Sequence, residues 1–356
     1  MTAALHTAKG AVHFAQPRIG IDRILHPRSI AVFGASDSLD KFGGRIMHFL
    51  TRHNFAGDIY PINLNRAEVA GRKAYQKIAA VPAPPDVGIL AVPPEKLIDT
   101  LREAADAGVG CCVVISTGFA EVGDASGAVR QAELVDVAAR TGMRVVGPNC
   151  MGMIVPHHHM ALCSSVVLNT DTLGDGSIGL ISQSGALMVT AFDRAKTDGI
   201  GLRYGVSLGN QSDVEICDFL EYMIEEPETK AICLYIEGLL DGARFHRAAA
   251  ACRAAGKPLL LVKTGRTEAG VTAAQSHTAS LAGSFEVFAA VCRDNGVVIA
   301  RDIDDMLRAA HFLVSYPQRR RRADGGVGVI SSSGGTAGIS SDRVSEVGLR
   351  LARTNA

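Results

Sequence analysis

The sequence has no tryptophan, only 5% aromatic residues and no cysteine pair in C-x-x-C spacing. Its eight cysteines (Cys111, Cys112, Cys150, Cys163, Cys217, Cys233, Cys252 and Cys292) sit largely in apolar runs such as GCCVVIS and KAICLYI. Buried, reduced thiols are therefore expected, not disulfides. Excess charge is also absent: 36 Lys and Arg balance 36 Asp and Glu. No global field draws such a chain to nucleic acid or an anionic membrane, so partners must be recognised locally. No apolar run approaches the roughly 18 residues that span a bilayer, and the opening MTAALHTAKGAVHFAQPRIG lacks an apolar core followed by a cleavage site. A soluble cytoplasmic protein is expected. What is plentiful is glycine, 38 of 356 residues, within a 47% apolar composition, a mixture typical of α/β enzymes built from short Val/Ile strands and Ala-rich helices.

From Ser29 onward, β-rich runs alternate with amphipathic stretches, the sequence form of βαβ crossovers and a parallel sheet. The first block offers the strands SIAVFGA, GDIYPIN, DVGILAV, GCCVVIS and RVVGPN, with helices near 45–53, 95–107 and 129–141. VPHHHMALCSSVVLNTDTLGDG reads as the crossing to a second block, which begins with SIGLISQ and repeats the alternation. After the charged linker YPQRRRRADGG a third start appears: VGVISSSGGTAGISSDRVSEVG repeats the pattern of IGLISQSGALMVTAFDRAKTDG. The expected division is a tail over 1–20, domains over 21–165 and 170–318, and an incomplete third α/β unit over 325–356. The arginine run 319–322 has no interleaved aromatics, so it reads as solvated linker.

Strand ends are where such sheets present chemistry. In FGASDSLDKFGGRI, Gly34 permits a tight turn, and Gly43 and Gly44 permit close backbone approach at a helix start whose free N–H groups suit a phosphate. This is not the dinucleotide fingerprint G-x-G-x-x-G. AVPPEKL places Val92, Pro93 and Pro94 at another strand end, and GPNCMGM places Pro148, Asn149 and Cys150 at a third; these can line an adenine or pantetheine slot without charge. Cys150 reads as a buried thiol, since no thiol-enzyme histidine motif accompanies it. The triplet His157, His158 and His159 reads as a surface loop: adjacent imidazoles diverge, and no metal-ligand set accompanies them.

The second block opens with ISQSGAL, where Ser184 and Gly185 stand at the turn into a helix. Ser184 suits helix capping, and the same turn aims N–H groups and a hydroxyl at an anion. YIEGLLDG ends its strand at Glu237, a carboxylate able to hold a histidine's second nitrogen and fix its tautomer. In AAQSHTASLAG one histidine, His277, lies among small residues ahead of a helix. By itself it reads as ordinary; with a phosphate-ready helix start and a strand-end carboxylate in the same block, it becomes a candidate phosphoryl carrier.

In order, IAVFGAS, VPP, STGFAEVG, GPNCMG, ISQSGAL, SLGNQSDVE, YIEG and SHTASLAG resemble the NDP-forming acyl-CoA synthetase superfamily, which includes succinyl-CoA synthetase and the ADP-forming acetyl-CoA synthetases. The resemblance runs from about Ile21 to Leu313. It implies a Rossmann-like CoA-binding domain followed by a flavodoxin-like ligase domain. His277 matches the phosphorylated histidine, Glu237 the carboxylate that orients it, and Ser184 and Gly185 the phosphate cradle. Gly34, Ala35, Ser36, Lys41, Val92, Pro93, Asn149 and Cys150 match the coenzyme A site. The implied reaction joins a carboxylic acid to coenzyme A through a phosphohistidine and an acyl phosphate. The family's usual SHTG is SHTA here, with Ala279 in the histidine loop.

No ATP-grasp segment is recognisable, so the resemblance implies that ATP, with Mg2+, is handled by a separate ATP-grasp β-type subunit within an oligomer or by a missing domain. The acyl substrate is not legible. Two other classes stay open on the residues: a non-catalytic CoA-binding module, and an NAD-binding oxidoreductase, which the missing dinucleotide fingerprint disfavours.

Overall fold

The computed structural model describes residues 19–267, 269–270, 284–317 and 325–352. It forms two units, one ending at Val314 and one beginning at Ser315.

The first unit holds one parallel sheet, one mixed sheet with a parallel centre, and a small two-stranded hairpin. Short helix α1 (Ile21–Leu25) leads into β1 (Ser29–Phe33), α2 (Phe42–Arg52), β2 (Asp58–Ile62), the small hairpin β3 (Glu68–Val69) and β4 (Arg72–Lys73), and β5 (Val87–Leu90). Then follow α3 (Pro94–Asp106), β6 (Cys111–Val114), α4 (Ala125–Thr141) and β7 (Arg144–Val146). The sheet order is β2-β1-β5-β6-β7, parallel throughout. β5 and β6 are buried along their whole length, as expected for strands covered on both faces by crossover helices. Strand order reverses between β1 and β5, so the turns leaving these two strands flank the crevice.

The second sheet contains β10 (Asp175–Ser182), α5 (Gly185–Thr197), β11 (Leu202–Ser207), α6 (Ile216–Glu225), β12 (Ala231–Ile236), α7 (Gly242–Ala254), β13 (Leu259–Lys263), α8 (Phe285–Asp294), β14 (Val298–Ile299) and α9 (Ile303–Ser315). Order β14-β13-β12-β10-β11 again puts the reversal beside the first strand, between β10 and β12. β12 is wholly buried, and Tyr204, Phe192 and Phe219 fill the layers on either side.

One element was not foreseen. The stretch read as a crossing contains β8 (Gly152–Val155) and β9 (Met160–Cys163), an antiparallel hairpin that pairs β8 with β11 and so belongs to the second sheet. The residues of its two strands are all buried. Capping the β11 edge removes a row of free backbone groups that would otherwise need solvent.

The eight cysteines are unpaired and buried, as expected. Among the described residues no helix is long and apolar enough to cross a membrane.

The second unit contains α10 (Gly334–Glu346) and a parallel bridge between Val327 and Leu351. In the second sheet, Ile178 pairs with Leu202 in the same sense and at the same spacing. The repeat seen in sequence is thus a repeat of a helix flanked by a parallel pairing, a full strand pair in the second sheet and a single bridge here. Both copies begin their helix with a capping serine, Ser184 or Ser333.

Candidate functional site

Gly34 has φ +77°, and a Cβ there would lie 2.4 Å from the Ala91 carbonyl oxygen. A Cβ on Gly43 would lie 2.1 Å from the Gly34 oxygen, and one on Gly44 1.9 Å from the Ser38 oxygen. These positions require glycine because the turn after β1 folds directly onto the start of α2. Ala35 is buried, and its carbonyl accepts from Asn63 Nδ2 at 2.8 Å. Half-buried Ser36 accepts from the Ser38 N–H at 3.1 Å. Exposed Lys41 occupies the N-cap of α2 without a side-chain capping bond. A cleft of about 410 Å³ opens beside the turn, lined by Ser36, Asp37, Leu39, Gly44, His48 and Arg52 among others.

The neighbouring strand ends are tied to one another. The Ser116 hydroxyl donates to the Val92 carbonyl at 2.6 Å, and the Asn149 N–H donates to the Ser116 carbonyl at 3.0 Å. Val92, with exposed Pro93 after it, and Asn149 therefore lie along one edge. Cys150 is buried, with its Sγ 3.3 Å from the Val114 carbonyl, and burial pushes its thiol up to about 12. A thiol buried and raised in this way is a poor nucleophile, and it is turned into the core.

In the second sheet, Ser184 caps α5 by accepting from the Leu187 N–H at 3.4 Å. A Cβ on Gly185 would lie 2.5 Å from Met151 Cγ. Glu237 follows β12 directly, across the reversal point from Ser184. Two residues that sequence reasoning missed connect these ends. Buried Gln183 accepts through Oε1 from the N–H groups of Glu237 and Gly238, and donates through Nε2 to the Gly238 carbonyl at 2.6 Å. Buried Lys263, ending β13, donates to the Glu237 carbonyl at 2.7 Å and the Thr264 carbonyl at 2.5 Å. The Glu237 carboxylate lies beside Tyr235, whose phenol is raised by burial and by this neighbouring charge. Lys263 was visible only as a charge closing the apolar run PLLLV.

The two sets of strand ends meet. Met151, next in chain to Cys150, occupies the space beside Gly185 and donates its N–H to the Ser207 hydroxyl at 3.0 Å. A Cβ on Gly209 would lie 2.0 Å from the Pro148 oxygen. Asn149 Nδ2 reaches Asn210 Oδ1 at 3.3 Å, and Asn210 donates to Glu121 at 2.6 Å and Gln131 at 2.9 Å. The Asn149 edge of the first sheet and the α5 start of the second thus form one continuous surface. His277 and Ala279 lie outside the described residues, as does the arginine run 319–322.

The reading of the histidine triplet as a surface loop is corrected. His157 and His158 are half-buried in the β8–β9 turn; only His159 is exposed. His157 Nε2 lies 3.1 Å from His26 Nε2, and its ring packs edge-on against Tyr204. Burial is the main cause that lowers the His157 imidazole to about 4. His157 and His158 pack against His26, at the C-cap of α1, and so fasten α1 to the second sheet.

Residues 28–156 match the CoA binding domain, and residues 175–313 match the succinyl-CoA ligase like flavodoxin domain. The alpha subunit of ADP-forming acetate–CoA ligase II from Pyrococcus furiosus is 36% identical over 333 residues, covering 93% of this chain and 70% of that subunit. The chain belongs to the ADP-forming acyl-CoA synthetase family. ADP-forming acetate–CoA ligase I of Archaeoglobus fulgidus is 35% identical, covering 94% of this chain and 47% of that protein. A solved dinucleotide-forming acetyl-coenzyme A synthetase 1 from Ca. Korarchaeum cryptofilum, in complex with phosphate and ADP, superposes with a TM-score of 0.81 at 32% identity, covering 94% of this chain and 70% of that one. This synthetase-family chain therefore spans about half the length of the Archaeoglobus protein and more than two thirds of the Pyrococcus subunit. The two-domain α/β architecture expected from sequence is the architecture found.

Proposed function

We propose that the chain is the alpha-type component of an ADP-forming acyl-CoA synthetase, with a CoA-binding part over 21–165 and a ligase part over 170–318. His277 carries the phosphoryl group, and Glu237 accepts the hydrogen bond from the far imidazole nitrogen, leaving the near nitrogen bare for phosphorus. Ser184 and the N–H groups at Gly185 hold the phosphate at the start of α5. A substrate carboxylate attacks the phosphohistidine: the P–N bond breaks as an O–P bond forms. The sulfur of coenzyme A then attacks the acyl carbon: a C–S bond forms as the acyl C–O bond breaks, and phosphate leaves carrying the thiol proton. Activation is the purpose, because a carboxylate is a poor acyl donor and an acyl phosphate a good one.

Coenzyme A is held by Gly34, Ala35, Ser36, Lys41, Val92, Pro93, Asn149 and the main chain of Cys150, with the cleft beside Ser36 and His48 available for part of its nucleotide. ATP with Mg2+ belongs to an ATP-grasp β-type subunit of the same oligomer, and the assembly works in the cytoplasm. The observation that supports this reading is that Met151 fills the space a side chain at Gly185 would need, so the loop read as the coenzyme A edge abuts the helix start read as the phosphate cradle. The test supplies the chain with coenzyme A and a set of short, branched and aromatic acyl phosphates. Acyl-CoA formation from at least one of them is expected; none, from a chain that binds coenzyme A, leaves only a binding module.

A further inference from the structure

Glu237 is placed by its backbone, and the backbone is held from two sides by buried polar side chains that come from neighbouring strands. Gln183, just after β10, binds both ends of its amide to the two residues that follow β12: Oε1 takes the N–H groups of Glu237 and Gly238, and Nε2 gives to the Gly238 carbonyl. Lys263, at the end of β13 and only 8% exposed, places Nζ between the Glu237 and Thr264 carbonyls. An ammonium taken out of water is costly, and burial lowers the pKa of this one, although the Glu237 charge acts in the opposite direction. An apolar residue would fill the end of an apolar strand without that cost. The cation joins two adjacent strand ends at the point where the carboxylate must be aimed.

We infer that Gln183 and Lys263 are positioning residues for phosphoryl transfer, acting together through Glu237 by fixing its main chain across β10, β12 and β13. The inference rests on the reading of His277 and Glu237 given above. Neither residue needs to touch the phosphate; each sets the angle at which the Glu237 carboxylate meets the imidazole, where small misplacements are expensive.

The test measures, in the full chain, the rate of phosphoenzyme formation from acetyl phosphate and the other acyl phosphates that the wild type accepts. Lys263→Met is expected to lower the maximal rate about tenfold or more while half-saturation moves less than about twofold, and Lys263→Arg, which keeps two donors, to recover part of it. Gln183→Ala is expected to do the same by the other route. In a Glu237→Gln background, Lys263→Met should add less than about twofold, because residues acting through one group are not additive. Full-rate labelling of folded Lys263→Met and Gln183→Ala, or losses that simply multiply with that of Glu237→Gln, overturns the inference while leaving the phosphohistidine reading intact. Absence of His277 labelling in the wild type overturns that reading, and this inference with it.

Discussion

Met151 fills the space that any side chain at position 185 would need: a Cβ there would lie 2.5 Å from Met151 Cγ and 3.3 Å from the Met151 nitrogen. The first helix turn of one sheet is therefore shaped against the strand-end loop of the other. Gly185→Ala should push Met151 and its backbone aside, lowering stability by about 1–3 kcal/mol and slowing acyl transfer more than coenzyme A binding. Urea denaturation alongside acyl-CoA formation checks both effects.

Gly34→Ala should act on the other side of the site. The residue has φ +77°, and its Cβ would fall 2.4 Å from a carbonyl oxygen that is part of the sheet edge, so relief requires main-chain movement of the turn itself. Calorimetric titration should show coenzyme A affinity falling at least about tenfold, or about 1.4 kcal/mol, with the proposed phosphorylation of His277 retained.

Cys150 stands in the strand-end loop proposed to hold coenzyme A, yet its thiol is buried and pushed up to about 12. Cys150→Ala should keep acyl-CoA formation within about threefold of the wild type, because no step uses the sulfur. Thiol-reactive dyes should label native protein only slowly at neutral pH and all thiols rapidly once it is unfolded.

His157 gives the pH dependence a sign. Its folded value is about 4 against an ordinary 6.5, mainly through burial, with Arg203 and His26 adding repulsion and Asp175 opposing it. Between these values the unfolded chain binds the extra proton and the folded chain does not, so this site makes stability fall as pH drops from about 6.5 toward 4. His158 is lowered in the same direction. Replacing His157 by Asn should flatten the acid side of the denaturation free-energy profile, measured by urea unfolding at a series of pH values.

Much of this was legible because local chemistry and tertiary position agree. Gly34, Ser184 and Glu237 each close a strand with a residue whose conformation or charge has an obvious use there, and the alternation of short apolar runs with amphipathic ones leads to two doubly wound sheets. The β8–β9 hairpin was not legible: four-residue strands around a Pro-His-His turn carry little period, and their pairing is decided by the free edge of β11. His26 was invisible for the same reason, since its partner His157 lies 131 positions away. Gln183 and Lys263 carry no sequence signal of this role, because the Glu237 and Gly238 groups they serve lie at the end of a different strand.

The most direct test of the account is the fate of labelled phosphate. Incubated with radiolabelled inorganic phosphate and the acyl-CoA corresponding to an acyl phosphate it accepts, the chain should acquire an acid-labile, base-stable label on His277. The label should be lost on adding the free carboxylic acid with coenzyme A, and His277→Ala should stay unlabelled. Equal label in His277→Ala, or a wild-type chain that binds coenzyme A and never takes up phosphate, would contradict it.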